Sequence, residues 1–123
     1  VVDGASVRVL VVDDSAAFRL AASAVLARTP GFVLAGQAGS AEDAVAVAPA
    51  LAPDLVLLDV RLPGMSGPDA APLLAAAVPG VVVVFCSTYA RADLPVPAGA
   101  RYLHKEELRP AALRALWAGA RGG

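Results

Sequence analysis

Five short apolar runs, Val7 to Val12, Phe32 to Gly36, Leu55 to Leu58, Val81 to Phe85 and a weaker one at Arg101 to Leu103, alternate with stretches rich in Ala and helical in character. Runs this short, bounded by turn-forming residues, read as strands buried on both faces. Strands that alternate with helical segments read as a doubly wound parallel sheet with helices on both sides. The expected fold is therefore α/β, a (βα)5 unit with a five-stranded parallel sheet. The doubly wound order 2-1-3-4-5 places the first and third strands side by side at the switch point.

Helices are expected near Ala16 to Arg28, Ala41 to Leu51, Asp69 to Ala77 and Glu106 to Ala118. The second opens on Ser40-Ala41-Glu42-Asp43, where the Ser40 hydroxyl can cap first-turn N–H groups and an acid meets the positive end of the dipole. Pro49 is expected to end or kink that helix. With Asp69 as its cap, the third helix holds Pro72 at the third helical position, where a missing N–H costs no bond. The fourth crossover, ARADLPVPAGA (Ala90 to Ala100), carries Pro95 and Pro97 too close together for a helix to pass through them. The fourth helix is thus expected to be shortened or replaced by a loop.

The 123 residues suffice for one domain, so 1–123 are read as a single unit with frayed ends at 1–4 and 119–123. Hydrophobic residues make up 58% and charged ones 17%, yet Pro and Gly interrupt the apolar runs too often for any to span a bilayer. A formal net charge of -1 offers none of the basic surface that nucleic-acid binding needs. Cys86 is the single cysteine; no internal disulfide can form, and its apolar run implies a buried, reduced thiol. No signal peptide or lipidation signal is visible, and a cytoplasmic location is expected.

In open α/β sheets, ligands bind outside the carboxyl ends of the strands. There the first strand ends in Asp13-Asp14, the third in Asp59, the fourth is followed by Ser87-Thr88 and the fifth by His104-Lys105. Taken singly, each has an ordinary explanation: Asp13-Asp14 as a helix cap, Asp59 and Ser87-Thr88 as turn residues, Lys105 as a solvated charge. Together they put three carboxylates in one crevice with a hydroxyl and an ammonium. Three like charges repel unless a cation neutralises them, and oxygen ligands suit a hard one, Mg²⁺ or Mn²⁺. With the phosphate so screened, Asp59 can attack phosphorus while Lys105 and Ser87 hold phosphoryl oxygens. The product is an aspartyl phosphate.

The stretches VVDDS (Val11 to Ser15), PDLVLLDVRLPGMSG (Pro53 to Gly67), FCST (Phe85 to Thr88) and GARYLHK (Gly99 to Lys105) resemble the four signatures of response-regulator receiver domains of two-component signalling. The resemblance covers nearly the whole chain. It implies Asp59 as phosphoacceptor, Asp14 as a direct metal ligand, Asp13 as a ligand through water, and the Arg61 backbone carbonyl as completing the metal site. It further implies Ser87, with Thr88 beside it, as the switch hydroxyl, Tyr102 as the switch aromatic and Lys105 as the phosphate-binding lysine. Arg61 and Tyr89 fall where the family tunes water access to the acyl phosphate, and their bulk implies slow self-dephosphorylation. The implied partners are a cognate histidine kinase and a downstream effector or output domain, as in receivers that precede helix-turn-helix transcription factors. A homodimer is among the assemblies such domains form. The implied chemistry is that of a switch with self-phosphorylation and slow self-dephosphorylation, not of a turnover enzyme.

Three other readings use the same residues. A phosphatase with an aspartyl nucleophile, resembling haloacid-dehalogenase-like hydrolases, needs a second acid two residues after the nucleophile, where this chain has Arg61. A flavodoxin-like cofactor binder needs a phosphate-cradling run after the first strand, whereas Asp13-Asp14 repel an unscreened phosphate. A pseudo-receiver that only binds partners does not need Asp13, Asp14, Asp59, Ser87 and Lys105 all in place. Two departures from the family pattern stand out. Only 18 positions separate Ser87 from Lys105, fewer than usual by about one helical turn. Glu106 follows Lys105 where many relatives have a proline in cis, and without proline a cis bond costs roughly 2.5 to 4 kcal/mol, so a trans peptide is expected.

Overall fold

The structure is a computed structural model in which residues 6–122 are described; the expected fraying of 1–4 lies outside them. The elements are β1 (Val7–Val12), α1 (Ala16–Ala27), β2 (Phe32–Ala38), α2 (Ala41–Leu51), β3 (Leu55–Asp59), α3 (Gly67–Ala77), β4 (Val82–Ser87), β5 (Arg101–His104) and α4 (Pro110–Ala120), with short 3-10 turns at Arg91–Asp93 and Lys105–Glu107. Each crossover returns the chain to the same edge before the next strand begins, so every pair of neighbours is parallel. The single sheet has the order β2-β1-β3-β4-β5, as expected.

Side chains alternate across each strand, and the two sets feed two cores. Val9, Val11, Leu55, Leu57 and Val84 pack with Ala22 and Leu26 of α1 and Leu113 of α4. Leu10, Val12, Val56, Leu58 and Phe85 pack with Ala44 and Ala48 of α2 and with Ala70 and Leu74 of α3. Alanine on the facing helix turns lets α2 and α3 lie close to the sheet without leaving voids. Leu116 and Trp117 join Leu113 against the first core, which accounts for the apolar stripe of the last helix. All five residues of β3 are buried, Asp59 included. Its backbone is therefore fixed by packing on both faces.

Three expectations about helix ends are corrected. The cap of α3 is Ser66, whose Oγ accepts the Asp69 N–H at 3.2 Å, so Pro72 lies well inside the helix and not at its third position. Pro49 does not end α2, which runs on to Leu51 and stops at Ala52 with a left-handed φ of 48°. Both proline rings are on exposed sides, where water can serve the carbonyl that loses its N–H partner. The last helix starts at Pro110 instead of Glu106, because Pro favours the first helical position and forces the residue before it, Arg109, into an extended conformation. That helix reaches Ala120, so most of the C-terminal stretch expected to fray is ordered, with residue 123 outside the described part.

The fourth crossover has no α-helix. One 3-10 turn, Arg91–Asp93, is all that forms before the prolines. The Arg91 guanidinium closes the loop by donating to the carbonyls of Pro97 and Ala100, both at 3.1 Å, and Leu94 is buried beneath it. Among the described residues, no helix is long and apolar enough to cross a membrane.

Candidate functional site

Because β1 and β3 are neighbours, their C-terminal ends deliver Asp13 and Asp59 to one point on the rim. Asp13 is fixed three ways. Its N–H bonds the Ala38 carbonyl at 3.1 Å, its Oδ1 accepts the Ser15 N–H at 2.9 Å, and its carbonyl accepts Arg19 Nη1 at 2.6 Å. Ser15 then caps α1 by accepting the Phe18 N–H at 3.2 Å. Asp59 Oδ1 accepts the Arg61 N–H at 3.2 Å. Past it the chain turns through Gly64, at φ +75°, where Glu42 of α2 holds the loop by accepting the Met65 N–H at 3.2 Å. Gly67 brings the start of α3 directly onto the Asp59 peptide, its N–H bonding the Val60 carbonyl at 3.1 Å.

Lys105 enters from the turn after β5. Its Nζ lies 2.6 Å from Asp13 Oδ2 and 3.5 Å from Asp59 Oδ2, and 4.6 Å over the Phe18 ring. Burial, and next the charge of Asp13, push the Asp59 carboxyl up to about 6, against the opposing pull of Lys105 and the Arg61 N–H. Burial works against the Lys105 ammonium, but its bond to Asp13 and the two negative charges outweigh that and hold its pKa above the usual lysine value. Cys86 pairs with Asp59 across the β3–β4 ladder, and burial pushes its thiol up to about 12, so it is inert as a nucleophile.

The carboxylate oxygens of Asp13, Asp14 and Asp59 lie within 4.8 Å of one another. Asp14 is exposed, while Asp13 Oδ2 is buried with the Lys105 ammonium, 2.6 Å away, as its partner. An oxygen-only donor set, two buried carboxylates sharing one ammonium, and the burial that pushes the Asp59 carboxyl upward fit a hard divalent cation open to solvent on one side.

The loop after β4 forms the opposite bank. Ser87 is buried and its Oγ accepts the Tyr89 N–H at 3.0 Å, which leaves the hydroxyl proton to donate. The single Tyr102 Oη proton is shared between the Ser87 carbonyl, at 3.2 Å, and the Tyr89 carbonyl. Thr88 is exposed. The Arg61 guanidinium lies over the exposed Tyr89 ring, 4.6 Å from its centroid, joining the loop after β3 to the loop after β4. The structure thus gathers Asp13, Asp14, Asp59 and Lys105 into one cluster and puts Ser87 at the end of the adjoining strand. Thr88 sits in the loop after β4 and Tyr102 in β5 with its hydroxyl on that loop, and neither joins the acids. His104 is half-buried and hydrogen-bonded on both ring nitrogens. Sequence reasoning did not place Phe18, Arg19, Glu42 or Gly67 at the site, since each acts there through a tertiary contact that carries no local pattern.

Comparison with known proteins agrees with this geometry. Residues 9–116 match the family described as the response regulator receiver domain. A protein-glutamate methylesterase/protein-glutamine glutaminase of Maricaulis maris is 43% identical over 84 residues, 68% of this chain and 21% of that protein. The response regulator GacA of Pseudomonas viridiflava is 41% identical over 78 residues, 63% of this chain and 36% of that protein. The chain therefore spans only a minor part of the curated relatives it matches. The signal receiver domain of the putative response regulator NarL from Mycobacterium tuberculosis superposes with a TM-score of 0.80 at 28% identity, covering 98% of this chain and 100% of that one.

Proposed function

Since the chain belongs to the response regulator receiver domain family of two-component systems, we propose that Asp59 is its phosphoacceptor and that 1–123 acts as one phosphorylation switch. The observation that carries this reading is the Lys105 ammonium set between Asp13 and Asp59, at 2.6 and 3.5 Å, beside the buried Ser87. A histidine kinase is the donor. Asp59 Oδ attacks the phosphorus of the phosphohistidine; an O–P bond forms as the P–N bond breaks, and the electron pair leaves with the imidazole, which takes up a proton. Asp13, Asp14, Asp59 and the Arg61 carbonyl would hold Mg²⁺ or Mn²⁺, which supplies charge screening for the incoming phosphoryl group. Lys105 moves from Asp13 toward a phosphoryl oxygen, and the Ser87 hydroxyl proton is donated to another. Drawing Ser87 inward displaces the carbonyls that Tyr102 holds, so the loop after β4 and the Tyr102 ring carry the change to an effector or output domain.

Incubation with acetyl phosphate and Mg²⁺ is expected to add the mass of one phosphoryl group to the wild type and none to Asp59→Asn. Equal labelling of the two overturns the assignment. The Arg61–Tyr89 pair between the loops after β3 and β4 restricts the path of an attacking water. Tyr89→Ala is therefore expected to shorten the phosphoryl half-life by about 3- to 10-fold, measured as loss of label after donor removal, and an unchanged half-life would refute the shielding role.

A further inference from the structure

The carbonyls of three consecutive residues, from the last of β4 into the loop that follows it, are all held by side chains of β5. Tyr102 takes those of Ser87 and Tyr89, and His104 takes that of Thr88, its Nε2 lying 2.9 Å from the oxygen. The other ring nitrogen of His104, Nδ1, accepts the Glu106 N–H at 3.1 Å and so caps the turn Lys105–Glu107. A carbonyl oxygen can only accept and an amide N–H can only donate. The ring must then carry its proton on Nε2 and leave Nδ1 bare, which is the neutral Nε2–H tautomer. Each tethered group is the immediate neighbour of a residue placed at the site: Thr88 follows Ser87, and Glu106 follows Lys105. Among the described residues no peptide bond is cis, so the Lys105–Glu106 peptide is trans, and a side-chain cap fixes the direction in which Lys105 leaves the strand.

Resting on the phosphoacceptor reading above, we propose that His104 is a positioning residue, its ring clamping the loop that carries Ser87 to the turn that carries Lys105 so that both phosphoryl-binding groups are held as one unit. His104 touches neither the acids nor the phosphoryl group. It acts through the spacing between two donors that must meet one phosphoryl group, and a misplacement of about 1 Å at such a distance costs up to roughly 100-fold in rate. The two halves of the clamp are separable. An Asn side chain puts its carbonyl oxygen near the place of Nδ1 and keeps the cap on Glu106, whereas a Gln side chain puts its amide nitrogen near the place of Nε2 and keeps the donor to Thr88.

The test measures the initial rate of phosphorylation by acetyl phosphate with saturating Mg²⁺ across a range of donor concentrations, alongside hydrogen exchange of the Glu106 amide and the thermal midpoint. For His104→Ala the maximal rate is expected to fall by about tenfold at unchanged donor half-saturation, with the Glu106 amide losing protection. His104→Asn is expected to restore that protection, and His104→Asn and His104→Gln to recover only part of the rate, each retaining one tether. A purely structural role would lower the midpoint without this division between the two variants. Wild-type labelling together with a full rate in His104→Ala overturns the clamp alone. Absence of label in the wild type overturns the phosphoacceptor reading and the clamp with it.

Discussion

Asp59→Asn is expected to be more stable than the wild type at neutral pH in metal-free buffer, by about 1–3 kcal/mol, even as it loses the carboxylate proposed as phosphoacceptor. Burial and the Asp13 charge hold the folded carboxyl at about 6, while in the unfolded chain it titrates near its ordinary value of 3.8. Between those values the folded state keeps a proton that the unfolded state has released. Stability therefore falls as pH rises through that window and levels off above it. Asn carries no charge to desolvate, so the fall should vanish in the variant. Lys105 offsets part of the penalty in the wild type, but it keeps Asp13 at 2.6 Å whichever residue occupies position 59. Denaturant melts of both proteins from pH 4 to 8, in chelator, check the point. A wild-type curve that is flat across this range, or that rises with pH, would show that burial does not strain Asp59. Added Mg²⁺ should raise the wild-type midpoint more than that of Asp59→Asn, since the cation relieves the same repulsion.

The rim was legible in the sequence because strand ends are. An apolar run that stops at an acid marks both a buried strand and its last residue, and parallel pairing then brings Asp13, Asp59, Ser87 and Lys105 to one edge. The lost fourth helix was legible for a local reason also, since Pro95 and Pro97 exclude a helix whatever surrounds them. What escaped depends on tertiary contact. Pro49 looks like a helix breaker along the chain and Pro72 looks harmless only with Asp69 as the cap, yet exposure on the outer helix faces lets both helices continue through them. Ser66 displaced Asp69 as a cap because both residue types cap well and only the fold decides between them. His104 and Phe18 reveal themselves only once Thr88 and Lys105 are in place around them.

Gly67 is the residue whose replacement should cost most. A Cβ there would stand 2.3 Å from the Asp59 carbonyl oxygen and 3.0 Å from the Val60 Cα, both backbone atoms. No rotamer change can relieve such an overlap. Either α3 must slide off the sheet, opening the core around Ala70 and Leu74, or the end of β3 must shift and carry the Asp59 carboxylate with it. Overpacking against fixed backbone costs about 3 kcal/mol or more, and Gly67→Ala is expected to lose at least that in denaturant unfolding. Its acceptance of phosphoryl label should fall as well, by more than the unfolded fraction explains. Gly119 supplies the control, because a Cβ there meets nothing within 4 Å and the residue lies in a helix. Gly119→Ala is expected to be neutral or to stabilise by up to about 1 kcal/mol. If the two variants melt alike, the close approach of α3 to the Asp59 peptide does not hold the site together.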